Sequence, residues 1–231
     1  MSTKADFQEG EFYHVYTRGV DQRDVFLEPA EKERFYQSMY LFNDKHYAHR
    51  GTGSLDKLLR LCFIETTGYD ERDCFVDIVT FNLMTNHFHF VLVPLVENGV
   101  SLFMHKLLMG YSKSFNIKHS RRGSLFETYQ AKHIDSQAYL DHLIIYAHLN
   151  GLDLFGLPWR EGLVDDWDLA LKKLDEHPYS GHHLAMGRTQ KLPVVNEKYL
   201  KDFYRDQKDY QEHIKSWSTS SIPSPGDGET L

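Results

Sequence analysis

The tightest constraint on this chain is a hairpin written into residues 76–93. Val76–Met84 and His87–Val93 are two runs of β-branched and aromatic residues separated only by Thr85-Asn86, a spacing that imposes antiparallel pairing through a tight turn. Other elements arrange themselves around that pair. Phe12-Tyr-His-Val-Tyr-Thr-Arg18 reads as a strand that stops at Gly19. Pro29, with Glu28, Glu31 and Glu33 around it, opens a helix in which Phe35, Met39 and Phe42 recur at helical spacing. Gly51-Thr-Gly-Ser is a loop, and a further strand is expected around Leu61–Thr66.

After the hairpin, Ser101–Lys118 places Met104, Leu107, Leu108, Tyr111 and Phe115 on one helical stripe. Arg121-Arg122-Gly123 breaks that helix, and Ser124–Ile134 is extended. Asp135 or Ser136 then caps a helix running to Asn150, with Gly151 as its stop. This order predicts an α+β, ferredoxin-like (split βαβ) antiparallel sheet with helices on one face. Residues 1–151 form that core. Residues 152–215 form a C-terminal helical extension, with an acidic helix around Asp166–Glu176 and a polar amphipathic one over Asn196–Ile214. Residues 216–231, made of Ser, Pro and Gly with almost no apolar content, are expected to be disordered.

Bulk properties exclude several classes. A hydrophobic content of 41% in 231 residues supports a real core, and no apolar run approaches the ~18 residues of a membrane span. The N-terminus carries no secretory pattern, and Cys62 and Cys74 are too few for a disulfide scaffold or a zinc knuckle, so a reducing cytoplasm is the expected location. The net charge of −7 argues against indiscriminate coating of nucleic acid. Charge is unevenly spread, however: residues 101–133 hold Lys106, Lys113, Lys118, Arg121, Arg122 and Lys132 against Glu127 alone. Such a strip is either a phosphate-binding edge or a solvated helix face.

Two constellations can carry chemistry. His87 and His89 alternate to one face of a strand whose other residues are apolar, where two polar rings are unfavourable without partners. Metal ligation and hydrogen bonding between core histidines both satisfy them. With 14 histidines in the chain the pair is not diagnostic by itself. On the helix from Ser136 to Asn150, Leu140, Leu143, Ile144 and Ala147 form the apolar stripe, and Tyr139, His142, Tyr146 and Asn150 run along its flank. That flank presents a phenol and an amide oxygen to one point, or it is a helix edge where tyrosine rings pack and their hydroxyls reach water.

Five ordered blocks carry a resemblance: Tyr13-His-Val-Tyr-Thr-Arg-Gly19, Met84-Thr-Asn-His-Phe-His89, Tyr111-Ser-Lys-Ser-Phe-Asn116, Arg122-Gly-Ser-Leu-Phe-Glu127 and Tyr146-Ala-His-Leu-Asn150. Over about residues 10–190 the chain resembles the single-tyrosine HUH transposases, above all the REP-associated tyrosine transposases. The resemblance implies Mg²⁺ or Mn²⁺ on His87 and His89 with Asn150 as a third ligand, and Tyr146 as nucleophile. It also implies single-stranded DNA near hairpin-forming repeats as substrate. The basic stretch from Lys106 to Lys132, the one strongly positive region of an acidic chain, is expected to follow the DNA backbone together with Arg18. Relatives include monomers and homodimers.

The chain departs from the pattern in three places. Thr85 stands where the family usually has proline, Gly151 where Asn-Pro is common, and His148 where the side chain is more often apolar or aromatic. Three rivals to a transposase remain: a domesticated nuclease acting on chromosomal repeats, a hairpin-binding protein without catalysis, and an unrelated metal hydrolase. Adjacent His182 and His183 do not make a second metal site, because neighbouring side chains point apart.

Overall fold

The computed structural model describes residues 7–46, 72–160 and 164–217. The strand expected near Leu61–Thr66 lies outside those residues. Four strands, β1 (Phe12–Arg18), β2 (Val76–Leu83), β3 (His87–Pro94) and β4 (Gln130–Ile134), form one antiparallel sheet in the order β2-β3-β1-β4. Helices α1 (Pro29–Phe42) and α2 (Gly99–Lys118) make the two crossovers, which is the βαββαβ connectivity expected from the sequence. The Thr85-Asn86 turn closes the hairpin, with Met84 N–H donating to His87 O at 2.9 Å.

Both crossover helices cover one face of the sheet. Phe88 and Phe90 of β3 meet Phe35 of α1 there, and Phe90 meets Phe103 of α2. The two helices pack closely because a Cβ on Gly110 would lie 2.4 Å from the Phe42 ring. A third helix, α3 (Gln137–Leu149), takes the opposite face. Ser136 is its cap, accepting from Tyr139 N–H.

Three later elements depart from expectation. Gly151 does not stop α3: the chain continues as a 3₁₀ segment, Asn150–Phe155, and turns only at Gly156, whose φ is +65°. Gly151 is small for packing reasons, since its Cβ would lie 3.0 Å from Leu174 and 3.3 Å from His177. The polar helix over 196–214 is two helices, α6 (Glu197–Phe203) and α7 (Gln207–Ser216), because Tyr204 is extended and Asp206 caps a new start. Ser216 and Trp217, grouped with the tail by composition, close α7 and bury an indole.

The C-terminal part also includes α4 (Trp167–Asp175) and α5 (His182–Ala185). It is laid along the outer edge of β2: Leu83 N–H donates to Tyr179 O, Gly181 N–H to Phe81 O and Asn196 N–H to Ile78 O, at 2.8–3.0 Å. A sheet edge that would otherwise offer unpaired amides is thereby closed.

Candidate active site

Alternation on β3 decides what faces α3. Phe88, Phe90 and Leu92 point to the α1/α2 side, so His87 and His89 point to the other. The register brings Tyr16 opposite His89, Arg18 opposite His87 and Asn82 opposite His89 on the far side. A β-bulge between Ile78 and Thr80 sets the face of β2, so that Thr80 and Asn82 both meet α3. Asn82 Nδ2 donates to Ala147 O at 2.6 Å, and Thr80 Oγ1 lies 2.7 Å from His148 Nε2. These bonds hold α3 down with Tyr146 over the histidines.

The two rings of His87 and His89 are perpendicular with centroids 5.1 Å apart, and the Tyr146 ring lies 5.8 Å from that of His89. His89 is 1% exposed; its Nδ1 is 3.0 Å from His14 Nε2, while its Nε2 is buried with no hydrogen-bond partner. His87 Nδ1 is held by Asn86 Oδ1 at 2.7 Å. Burial pushes His87 down to about 4 and His14 to about 3, and holds His89 well below the ordinary imidazole value. All three rings are therefore neutral near pH 7, the form that ligates metal. A ring whose Nδ1 is engaged and whose Nε2 is orphaned and buried fits a metal ligand oriented from behind.

Tyr146 is enclosed, at 3% exposure, by Trp159 and Trp217, whose rings lie 5.5 and 6.1 Å from its own. Trp217 in turn stacks on His142 at 4.0 Å. The flank of α3 around Tyr146 and His142 is thus roofed by the C-terminal part, not open to water as a helix edge would be. Burial raises the Tyr146 phenol above its ordinary value, and hydrogen bonds from Asn150 and Arg160 work against that rise. Asn150 is fully buried: its Nδ2 donates to Tyr146 O at 2.9 Å and its Oδ1 accepts from Arg160 Nη2 at 3.2 Å.

Arg160, Asp153, Trp159, Trp217 and His14 join the site without a spacing pattern that marks them in the sequence. Asp153, Trp159 and Arg160 lie in a stretch without periodicity, and their one sequence signal is the scarcity of tryptophan, three in the chain, two of which border Tyr146. A second network was also missed. Thr80, His148, Tyr210 and His182 form a buried chain, with the Tyr210 hydroxyl 3.0 Å from His148 Nδ1 and 2.7 Å from His182 Nδ1. His148, a departure from the family pattern, is thus matched by Tyr210 and His182.

The basic residues do not form one track. Arg18, beside His87, pairs with Glu127 at 3.0 Å. Lys132 is exposed on the histidine face, 5.8 Å from the Tyr16 ring. Lys113 and Arg122 are exposed, but α2 lies against the opposite face of the sheet. Lys106 sits over the Phe75 ring, and Arg121 braces its loop through Asn116 Oδ1 and Ser124 O. Lys118 pairs with Glu28 and Glu31. With His119, those glutamates form the one cluster of three possible metal-ligating groups among the described residues, and the Lys118 ammonium already pairs with both carboxylates. His182 and His183 do not enter such a cluster.

No family model matches the chain, and no curated protein matches it. Among solved structures, one of a REP-associated tyrosine transposase bound to a REP hairpin matches with a TM-score of 0.48 and 10% identity, covering 81% of this chain and 86% of that one. No described helix is long and apolar enough to cross a membrane.

Proposed function

We propose that this chain is a metal-dependent single-stranded DNA endonuclease and strand transferase that acts near DNA hairpins through a 5′-phosphotyrosine on Tyr146. The observation that carries the reading is the buried, partnerless Nε2 of His89, on the face it shares with His87 and beneath Tyr146. His87, His89 and Asn150 would hold Mg²⁺ or Mn²⁺, a donor set of imidazole and amide oxygen that suits either ion. The ion's contribution when bound would be to withdraw charge from the scissile phosphate.

The protein's own groups do the rest. A free phenol of pKa ≈ 10 is only about 0.1% ionised at pH 7, so Tyr146 depends on its surroundings to attack. Its oxygen forms a bond to phosphorus as the P–O3′ bond breaks, and the phenolic proton is balanced by the proton gained at the 3′-OH. The phosphotyrosine keeps the ester for rejoining. Of the basic residues expected to face DNA, Lys132 is the one exposed on the histidine face, whereas Lys113 and Arg122 could reach only DNA that wraps past the sheet.

A hairpin-binding protein without catalysis is the second reading, favoured by the enclosure of Tyr146 under two tryptophans. Incubation with 3′-labelled hairpin DNA carrying a single-stranded flank separates the two. A denaturant-resistant adduct that needs Mn²⁺ or Mg²⁺ and vanishes in Tyr146→Phe supports the enzyme. Hairpin binding with no adduct under any metal leaves the binding protein.

A further inference from the structure

Arg160 is built into the site with unusual care. Its guanidinium donates to both carboxylate oxygens of Asp153, at 3.0 and 2.6 Å, and to Asn150 Oδ1 at 3.2 Å. Its charge also pulls the Tyr146 phenol down against the rise that burial causes. Its carbon lies 4.6 Å from the centroid of the Trp159 ring, and Trp159 Nε1 fixes Asp153 Oδ1 at 2.7 Å. A flat support on one side and a carboxylate along one edge leave the cation oriented at the Asn150 amide. The side chain is still 48% exposed, so a ligand can reach it.

A guanidinium this close to a proposed metal ligand is a conflict. It takes the oxygen of Asn150 that a metal would need, and its charge repels a divalent ion. A phosphodiester resolves the conflict, because guanidinium prefers phosphate oxygens arranged for two parallel bonds over a single neutral amide. We propose that Arg160 is the residue that grips the scissile phosphate, and that until DNA arrives it holds the Asn150 amide and keeps the metal site weak. The proposal rests on reading His87, His89 and Asn150 as metal ligands. It makes DNA and metal binding mutually reinforcing, each raising the affinity for the other by the same factor.

The test is titration of Mn²⁺ into the full chain, followed by calorimetry and by the Mn²⁺ spin-resonance signal. Tyr146→Phe serves as background to prevent cleavage, with and without hairpin DNA carrying a single-stranded flank. DNA should tighten Mn²⁺ binding about tenfold or more. Adding Arg160→Met should tighten Mn²⁺ binding without DNA by a similar factor and remove most of the gain from DNA. It should also lower the salt dependence of DNA binding by about one phosphate contact. Arg160→Met leaves Asp153 unpaired, so an Asp153→Asn, Arg160→Met pair is the control. Tightening that persists in the pair supports release of Asn150, whereas tightening lost in the pair overturns it. Unchanged Mn²⁺ affinity in DNA-free Arg160→Met also overturns the proposal while leaving the metal centre standing. Absence of Mn²⁺ binding in every protein, DNA present, removes the metal centre itself and the proposal with it.

Discussion

The two faces of this sheet are made by the same strands, yet they are opposite in character. On one, Phe35, Phe88, Phe90, Phe103, Tyr111 and Phe126 interlock between α1, α2 and the strands. On the other, His14, Thr80, Asn82, His89, Tyr146 and His148 are buried nearly as deeply beneath α3 and the C-terminal helices. The first face is held by apolar area, which tolerates small displacements. The second is held by hydrogen bonds whose failure leaves a buried polar group unpaired, an outcome worth about 1–3 kcal/mol each. Apolar packing and buried hydrogen bonding have been sorted onto separate sides of one layer.

Acid should break that comparison most severely. Burial holds His14 and His177 down to about 3, His182 to about 4 and His148 well below its ordinary 6.5. The folded protein therefore binds fewer protons than the unfolded chain between those values and 6.5. Their contribution is complete above about pH 6.5 and is lost as pH falls toward 4 and below. Melting followed by near-ultraviolet dichroism from pH 7 to 4 should show a steep fall in Tm. A flat profile would mean that the histidine face is open to water.

On the apolar face, Phe90→Ala should cost about 3–5 kcal/mol in urea unfolding, through lost area and a cavity that rigid neighbours cannot fill. Tyr210→Phe tests the polar face with almost no change of volume. It strips the hydroxyl from both His148 and His182, so a loss of about 1–3 kcal/mol is expected. A loss below the Tyr111→Phe value would show that the buried chain is slack.

The smallest effects separate the two tyrosines. The Tyr111 hydroxyl donates to Val25 O at 2.6 Å inside the aromatic core, so Tyr111→Phe should cost about 1 kcal/mol and leave any DNA adduct intact. Tyr146→Phe should cost less than about 1 kcal/mol, because Asn150 and Arg160 keep other partners, and should abolish the adduct. Adduct in Tyr146→Phe with none in Tyr111→Phe would move the nucleophile to the other face.

Much of this was legible in the chain. The Thr85-Asn86 turn and the period-two alternation around it determined the hairpin, and with it the face shared by His87 and His89. The helical stripe through Met104, Leu107 and Tyr111 placed Tyr111 in the core, where it is 1% exposed. Local periodicity also set Tyr146 and Asn150 on one flank of their helix. These are short-range consequences of backbone geometry, and sequence spacing encodes them directly.

What the tertiary structure decided is everything that depends on distant segments meeting. His14 reaches His89 across 75 positions only because β1 and β3 pair in one register. Trp159, Arg160 and Asp153 reach Tyr146 because the chain continues past Gly151 as a 3₁₀ turn instead of stopping there. Trp217 closes over the same tyrosine from the end of α7. The basic residues of 101–133 lie within one stretch of sequence, yet folding sends α2 to one face and Lys132 to the other, and pairs Lys118 with Glu28 and Glu31. Periodicity speaks for neighbours a few residues apart; it is silent on which side chains a fold will bring together, because that is settled by packing between elements.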